Sequence, residues 1–354
     1  MEVGKNPTSF LLYFLKKLDK EVDKVYDINQ LINWLIISQG DVMKRALKIS
    51  ACLSLLALAL CLWACQSQKE SSPSSPSQGL KIVTSFYPIY SMVKAISGDL
   101  NDVRMIQSSS GIHDFEPSAN DVAAIYDADV FVYHSRTLES WAGELNPSLK
   151  NSKVQVLEAS QGMELDRVAG LEDVQAGEGV DEKTLYDPHT WLDPQKAAEE
   201  AQIIADRLSE LDSDHRDTYQ ANARKFQEEA KELTERYQDI FDKVPNKTFV
   251  TQHTAFSYLA KRFGLTQLGI AGISPEQEPS PRQLTEIEDF VKEHQVKTIF
   301  VESNASSKVA QTLVKETGVQ IKELNPLEAD PANQLSYLEN LEKNLAVLAK
   351  DLKG

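Results

Sequence analysis

The sequence predicts an α/β protein of two lobes, each with a parallel sheet, joined by a long rigid connecting helix. Three observations predict it. Strand-like runs alternate with helix-period runs from residue 80 to 212 and again from 246 to 354, and such alternation means parallel sheets with right-handed crossovers. Between them, Asp214 to Val244 is one long helical stretch, with Tyr219, Ala223, Phe226, Ala230, Leu233, Tyr237 and Phe241 recurring every three or four residues. Finally, His113, His189 and His253 each lie where a strand-like run gives way to a helix-like one.

The elements follow in order. Lys81-Ile-Val-Thr-Ser85 is a β-branched run ended by Tyr87-Pro88, and Met92 to Ile96 has helical spacing before Gly98. Asp102 to Ile106 reads as a strand, and Pro117 suits the first turn of a helix running through Ala119, Val122, Ala123 and Tyr126. Asp129–Tyr133 and Val154–Leu157 are further strands. Residues 164–186, acidic and without apolar periodicity, read as a mobile surface loop. Asp193 is placed to cap a helix with Pro194 at its first position, running to Leu211. The connector then spans roughly 45 Å at 1.5 Å per residue. Beyond Pro245 come strand Thr248–Thr251, helix Ala255–Phe263 stopped by Gly264, strand Leu265–Ile270 and helix Pro281–Glu293. Strand Thr298–Val301, helix Ser306–Glu316, strand Val319–Leu324 and a final helix from about Asn333 complete the chain.

All three cysteines, Cys52, Cys61 and Cys65, fall in one apolar run, so the rest of the chain has no thiol for a disulfide, a thiolate metal site or a nucleophile. That run reads as an export signal over 43–64. Met43-Lys-Arg-Ala-Leu-Lys48 is its basic start, Ile49–Trp63 is too short for a comfortable span, and Leu62-Trp-Ala-Cys65 resembles a bacterial lipobox. Cleavage before Cys65 leaves a lipid-modified cysteine on a serine-rich tether over 65–79. Residues 1–42 fit no signal, and Met43 is expected to be the true start, with the upstream extension an artefact of start assignment. With the eight Lys/Arg and six Asp/Glu of residues 1–64 removed, 29 basic and 47 acidic side chains remain, a net charge of −18 that argues against nucleic acid as a partner.

Without thiols, any metal must be held by nitrogen and oxygen. Loops after the carboxyl ends of strands are where open α/β sheets bind ligands, so three imidazoles from three such loops can converge in the cleft between the lobes. Imidazole favours zinc and its transition-metal neighbours. Glu302, ending Ile299-Phe-Val-Glu302, and Glu328, in the turn Leu324-Asn-Pro-Leu-Glu-Ala-Asp330, compete for the fourth position, with Asp330 a third candidate and His134 also facing the cleft. His215, among aspartates, and His294, at a helix end, read as surface or helix-end groups, and Trp191 as a packing residue. A zinc hydrolase is the rival reading, but no His-Glu-x-x-His helix is present and no catalytic residue stands out.

The lipobox, Gly111-Ile-His-Asp-Phe-Glu-Pro117, Asp187-Pro-His-Thr-Trp-Leu-Asp-Pro194, the histidine after Phe249-Val-Thr251 and the long connector together resemble the metal-binding lipoproteins of bacterial ABC importers. The match covers about residue 79 to the end and looks most like the zinc-binding, so-called laminin-binding lipoproteins of Gram-positive bacteria. The resemblance implies the cluster A-I solute-binding fold and one transition-metal ion in the interlobe cleft. It takes the last ligand from the later turn, hence Glu328, leaving Glu302 to accept an imidazole N–H. It implies a monomer that passes Zn2+ to a membrane permease from the outer face of the cytoplasmic membrane, anchored at Cys65, with host matrix such as laminin a further partner. Manganese or another transition metal is the alternative cargo, although three imidazoles and a carboxylate suit zinc better than manganese. One departure is that residues 164–186 lack the histidine-rich stretch of many zinc-importing relatives.

Overall fold

The computed structural model describes residues 30, 33 and 79–354, apart from 107–110, 169–170, 172, 176, 178–181, 276–279 and 303–307. The expected export signal, Cys65 and its tether up to residue 78, and nearly all of 1–42 lie outside the described residues. Among those described, no helix is long and apolar enough to cross a membrane.

Among the described residues, eight strands and nine α-helices follow one another. The first half comprises β1 (Lys81–Thr84), α1 (Tyr87–Ser97), β2 (Asp102–Met105), α2 (Ala119–Asp127), β3 (Val130–Tyr133), α3 (Ser140–Leu149), β4 (Gln155–Glu158), α4 (Pro194–Leu211) and α5 (Arg216–Phe241). The second comprises β5 (Thr248–Thr251), α6 (Ser257–Arg262), β6 (Thr266–Gly269), α7 (Pro281–Glu293), β7 (Thr298–Val301), α8 (Lys308–Thr317), β8 (Gln320–Glu323) and α9 (Tyr337–Leu352).

The strands form two four-stranded parallel sheets with one plan, β2-β1-β3-β4 and β6-β5-β7-β8. The hydrogen bonds just past the strand ends repeat as well. Ser85 N donates to Val132 O at 3.1 Å as Gln252 N does to Phe300 O at 2.8 Å, and Ala159 N donates to Tyr133 O at 2.8 Å as Leu324 N does to Val301 O at 3.0 Å. The lobes are therefore repeats of one topology, and each has its strand-order reversal between its first and third strands. That crevice is where ligands enter such sheets.

The expected two-lobed α/β fold with a long connecting helix is what the chain adopts. The α5 helix buries Tyr219, Ala223, Phe226, Ala230, Leu233, Tyr237 and Phe241, the predicted stripe, mainly against α4 and α1. It is packed rather than free-standing. The last helix, α9, stays tied to β7 and β8 through Asp351, which Thr298 and Lys322 reach, and also packs on α5 and α1, where Asn340 Nδ2 donates to Tyr87 Oη at 3.0 Å. One apolar core consequently runs from Ile82 to Leu352, and a smaller one around Val250, Ile287, Ile299 and Leu313 underlies the second sheet.

Local chemistry explains where elements start. Asp193 caps α4 by accepting from Gln195 N, with Pro194 at the first position as expected. Helix α2 begins two residues after Pro117, because Ser118 and Asp121 form a reciprocal capping box. The same device, Ser336 with Glu339, delays α9 from Asn333 to Tyr337. The loop over 164–186 is not free at its ends. Asp166 pairs with Lys261 at 2.7 Å, its N–H reaches Tyr258 Oη at 2.7 Å, and the Arg167 guanidinium lies 4.6 Å from the Tyr186 ring centre.

Candidate metal centre

Four side chains arrive from the connections that follow four different strands. His113 follows β2, His189 follows β4, His253 lies two residues beyond β5, and Glu328 lies in the turn after β8. One donor atom from each falls within 4.8 Å of all the others. Glu328 Oε1 stands 3.3 Å from His113 Nε2, 3.6 Å from His189 Nε2 and 3.4 Å from His253 Nε2, and the His113 and His189 Nε2 atoms are 3.3 Å apart. A regular tetrahedron with bonds of about 2.0–2.1 Å places its donors about 3.3–3.4 Å apart, so these four separations are already close to the edges of a four-coordinate zinc site. Neither His253 Nε2 nor Glu328 Oε1 makes a hydrogen bond, although both are buried. Native structures rarely leave such atoms unpaired without cause.

The far sides of two rings are held. His189 Nδ1 lies 2.7 Å from Asp187 Oδ1, which also accepts the His189 backbone N–H at 2.9 Å, and His253 Nδ1 meets Glu302 Oε1. An Nδ1–H bonded to a carboxylate fixes both the ring's orientation and the tautomer that presents the Nε2 lone pair inward. Burial pushes the His253 imidazole down, but the hydrogen bond to Glu302 and the Glu328 and Glu302 charges outweigh it and lift the group to about 10. In His189 burial is likewise outweighed, here by Asp187 and Glu328, and the value rises. Burial alone would raise the Glu328 carboxyl, yet the three imidazoles hold it well below the usual range.

The Glu328 turn is built for position. Leu327, 1% exposed, sits in the left-handed region at φ 59°, a conformation costing a non-glycine residue roughly 1–3 kcal/mol. Asn325 Oδ1 accepts from Leu327 N at 2.7 Å, and Asn344 on α9 clasps the Asn325 backbone at both ends, accepting from its N at 3.1 Å and donating to its O at 2.6 Å. Trp191 Nε1 donates to Pro326 O at 2.8 Å, binding the His189 motif to the same turn.

Other candidates lie elsewhere. Glu302 stands behind His253 and outside the four-donor cluster. His134 is buried beneath Trp191, with ring centres 5.0 Å apart, and faces Thr190 and Glu200. Asp330 is exposed and accepts from Ala332 N at 2.8 Å. His215 pairs with Asp212 at 2.7 Å, and His294 packs on Phe290. Asp187, Thr190 and Glu200 escaped sequence reasoning as supports. Glu200 carried a signal, because it lies on the apolar stripe of α4 three residues after Ala197 and four before Ile204.

The family of zinc-uptake complex component A, periplasmic, matches residues 82–351. The chain belongs to this family. Its relatives include the high-affinity zinc uptake system protein ZnuA of Bacillus subtilis, 38% identical over 311 residues that cover 86% of this chain and 96% of that protein. The zinc-binding lipoprotein AdcA of Streptococcus pneumoniae is 38% identical over 307 residues, 84% of this chain, and the chain spans 60% of its length. Among solved structures, a Zn(II)-bound variant of AdcAII from Streptococcus pneumoniae has 73% identity and a TM-score of 0.74, covering 78% of this chain and 99% of that one. The laminin-binding protein of Streptococcus agalactiae, described as bifunctional with adhesin and metal-transporting activity, has 62% identity and a TM-score of 0.72, covering 78% and 100%. The predicted resemblance to metal-binding lipoproteins of ABC importers is thereby borne out, as are the zinc-uptake and laminin-binding relatives it named.

Proposed function

We propose that this member of the zinc-uptake family captures one Zn2+ ion with His113, His189, His253 and Glu328 and passes it to an ABC permease for import, working outside the cell on a lipid anchor at Cys65. The carrying observation is the four-donor cluster, in which the three Glu328–histidine separations and the His113–His189 separation, 3.3–3.6 Å, are close to the edges of a tetrahedral zinc site. In this reading the cleft lies between a first lobe over 80–212 and a second over 246–354, with residues 213–245 connecting them. Asp187 and Glu302 keep the Nδ1 protons on the outer sides of two rings, which leaves nitrogen lone pairs for the metal. Glu328 adds one negative charge in a buried setting where charge pairing is strong.

Four protein donors complete a tetrahedron and leave no position for a catalytic water, which favours carriage over hydrolysis. Manganese prefers more oxygen ligands, so the donor set favours zinc. A secondary role in adhesion to host matrix draws on the 62% identity to the laminin-binding protein of Streptococcus agalactiae.

Metal analysis of the purified protein beside competition titrations with Zn2+ and Mn2+ and assays for peptidase and esterase turnover tests the reading. One zinc per chain, weak manganese binding and no turnover are expected. Hydrolysis that tracks zinc content, or no zinc uptake at neutral pH, overturns it.

A further inference from the structure

The group behind His253 has a counterpart in the first lobe. Glu302 is the residue after β7, and the residue in the same place after β3 is His134. The repeated hydrogen bonds around the strand ends fix that equivalence: Tyr133 O and Val301 O accept from Ala159 N and Leu324 N respectively. His134 is fully buried and firmly mounted. Its backbone N–H reaches both oxygens of Glu139 at 3.1 and 3.2 Å, and its carbonyl accepts from Ser160 Oγ at 2.9 Å. Such anchoring is more than a packing histidine requires.

Its ring points at a second buried acid. His134 Nε2 lies 2.8 Å from Thr190 Oγ1 and 3.3 Å from Glu200 Oε1, and Thr190 Oγ1 lies 2.5 Å from the same Glu200 oxygen. With the Thr190 O–H donating to Glu200 Oε1, the threonine oxygen is left to face His134 Nε2 as an acceptor. Glu200 is 0% exposed, and among the described residues no lysine or arginine pairs with it. Burying an acidic side chain there is costly unless its polar atoms are used. What it grips is Thr190, the residue bonded to His189, at the start of a three-residue 3-10 turn that also carries Trp191. Trp191 in turn lies against both His134 and His189, with ring centres 5.0 and 5.1 Å away.

We infer that His134 and Glu200, acting through the Thr190 hydroxyl, are positioning residues that set the His189 imidazole in the metal site, the first lobe's counterpart of Glu302 acting on His253. This inference rests on the proposed zinc site and names what builds one of its corners. Asp187 fixes the rotation of the His189 ring from the outer side, and the Thr190 brace fixes the peptide that carries the ring. Preorganisation of this kind acts on metal affinity and coordination geometry, because a displaced donor lengthens or loses its bond.

The test compares wild type with Thr190→Val, Thr190→Ser and Glu200→Gln, reading zinc affinity by competition with a chromophoric chelator and the visible spectrum of the Co(II)-loaded proteins. Thr190→Val should lose about 10–100-fold in zinc affinity, the range for groups that orient ligands, with a weakened or shifted Co(II) band. Thr190→Ser keeps the hydroxyl and should recover both readouts, and Glu200→Gln should resemble Thr190→Val. If Thr190→Val and Glu200→Gln bind zinc like wild type with an unchanged Co(II) spectrum, the brace is refuted even if they melt earlier. Should Thr190→Val fail to fold, Glu200→Gln against Thr190→Ser decides by the same criterion. Wild type failing to take up zinc would instead sink the proposed function, and the brace with it.

Discussion

Asp193, at the start of α4, holds Arg262, at the end of α6, in a two-pronged pair: Arg262 Nε reaches the carboxylate oxygens at 2.9 and 3.0 Å, and Nη2 reaches Oδ2 at 2.8 Å. The same aspartate caps α4. It thus ties the end of the His189 motif to the helix that follows His253. Tyr258 Oη donating to Asp187 O at 2.9 Å and Tyr337 Oη donating to Trp191 O add ties along the same motif.

Those ties predict that zinc changes the relation between the lobes very little. Small-angle scattering of the zinc-free and zinc-loaded protein should nearly superimpose, and a change of several ångströms in radius of gyration would contradict a stapled cleft. Arg262→Ala should destabilise the fold by about 1–3 kcal/mol in urea unfolding. Because the guanidinium is 34% exposed, the loss falls short of the roughly 3–5 kcal/mol for a fully buried pair. Arg262→Lys should recover only part of it, since an ammonium cannot reproduce the fork. An unchanged unfolding midpoint for Arg262→Ala would count against the tie.

Substitutions at the site should rank by distance from the metal. Glu328→Ala and each of His113→Ala, His189→Ala and His253→Ala remove a donor and should weaken zinc binding far more than Glu302→Ala, which should lose about 10–100-fold. Isothermal or competition titration at neutral pH checks the order. A larger loss for Glu302→Ala than for Glu328→Ala would exchange their roles.

The turn beneath Glu328 offers a test remote from the donors. Asn344→Ala deletes both clasps on Asn325 and should cost about 1–3 kcal/mol of stability. By freeing the strained Leu327 it should also lower zinc affinity, although Asn344 is on α9 and touches no donor. Unchanged affinity would show that the turn keeps its shape unaided.

Ordinary imidazoles would lose zinc only below about pH 6, as groups near 6.5 gain a proton. The carboxylates around these rings move the competition upward. With His253 raised to about 10 and His189 also raised, the metal-free site holds protons at neutral pH that zinc must displace. Zinc binding at pH 7 should therefore release at least one proton per ion, visible as a buffer-dependent binding enthalpy, and affinity should climb as pH rises from 7 toward 10. The stability of the metal-free protein should move the other way. A raised histidine contributes fully below its unfolded value near 6.5 and loses that contribution as pH climbs through its folded value, whereas Glu328, being depressed, contributes above about 4.3 and loses it only in acid. Binding that is pH-independent from 7 to 9 would sink this account.

The proposed anchor makes the Cys65 thiol the acylation site, so Cys65→Ala should abolish labelling by a fatty-acid analogue and leave the expected export signal uncleaved. Unchanged labelling would remove the anchor from the proposal.

Most of the architecture was legible because each strand is a short β-branched or aromatic run and each long helix shows its stripe. Helix α3 was not. The run between β3 and β4 has no clear apolar stripe and carries Pro147 in its interior, where a proline removes a helix donor, yet the helix continues across it with Leu149 and Ala142 buried. At the site, three histidines stood out because each followed a strand. Glu302 and Glu328 did not separate on that ground, as both do the same, and only the resemblance favoured Glu328. What distinguishes them in space is a left-handed leucine and an asparagine clasp from a helix 19 residues further on, neither of which has a periodic signature.

The return of α9 across the connector bears on how the molecule comes apart. A chain whose final helix closes the first lobe cannot complete that lobe until its last residues have been made, and neither half retains a whole interior when cut at the connector. Heating should yield a single calorimetric transition rather than one for each lobe, and a fragment ending before Tyr337 should expose Tyr87 and the inner face of α5 to water.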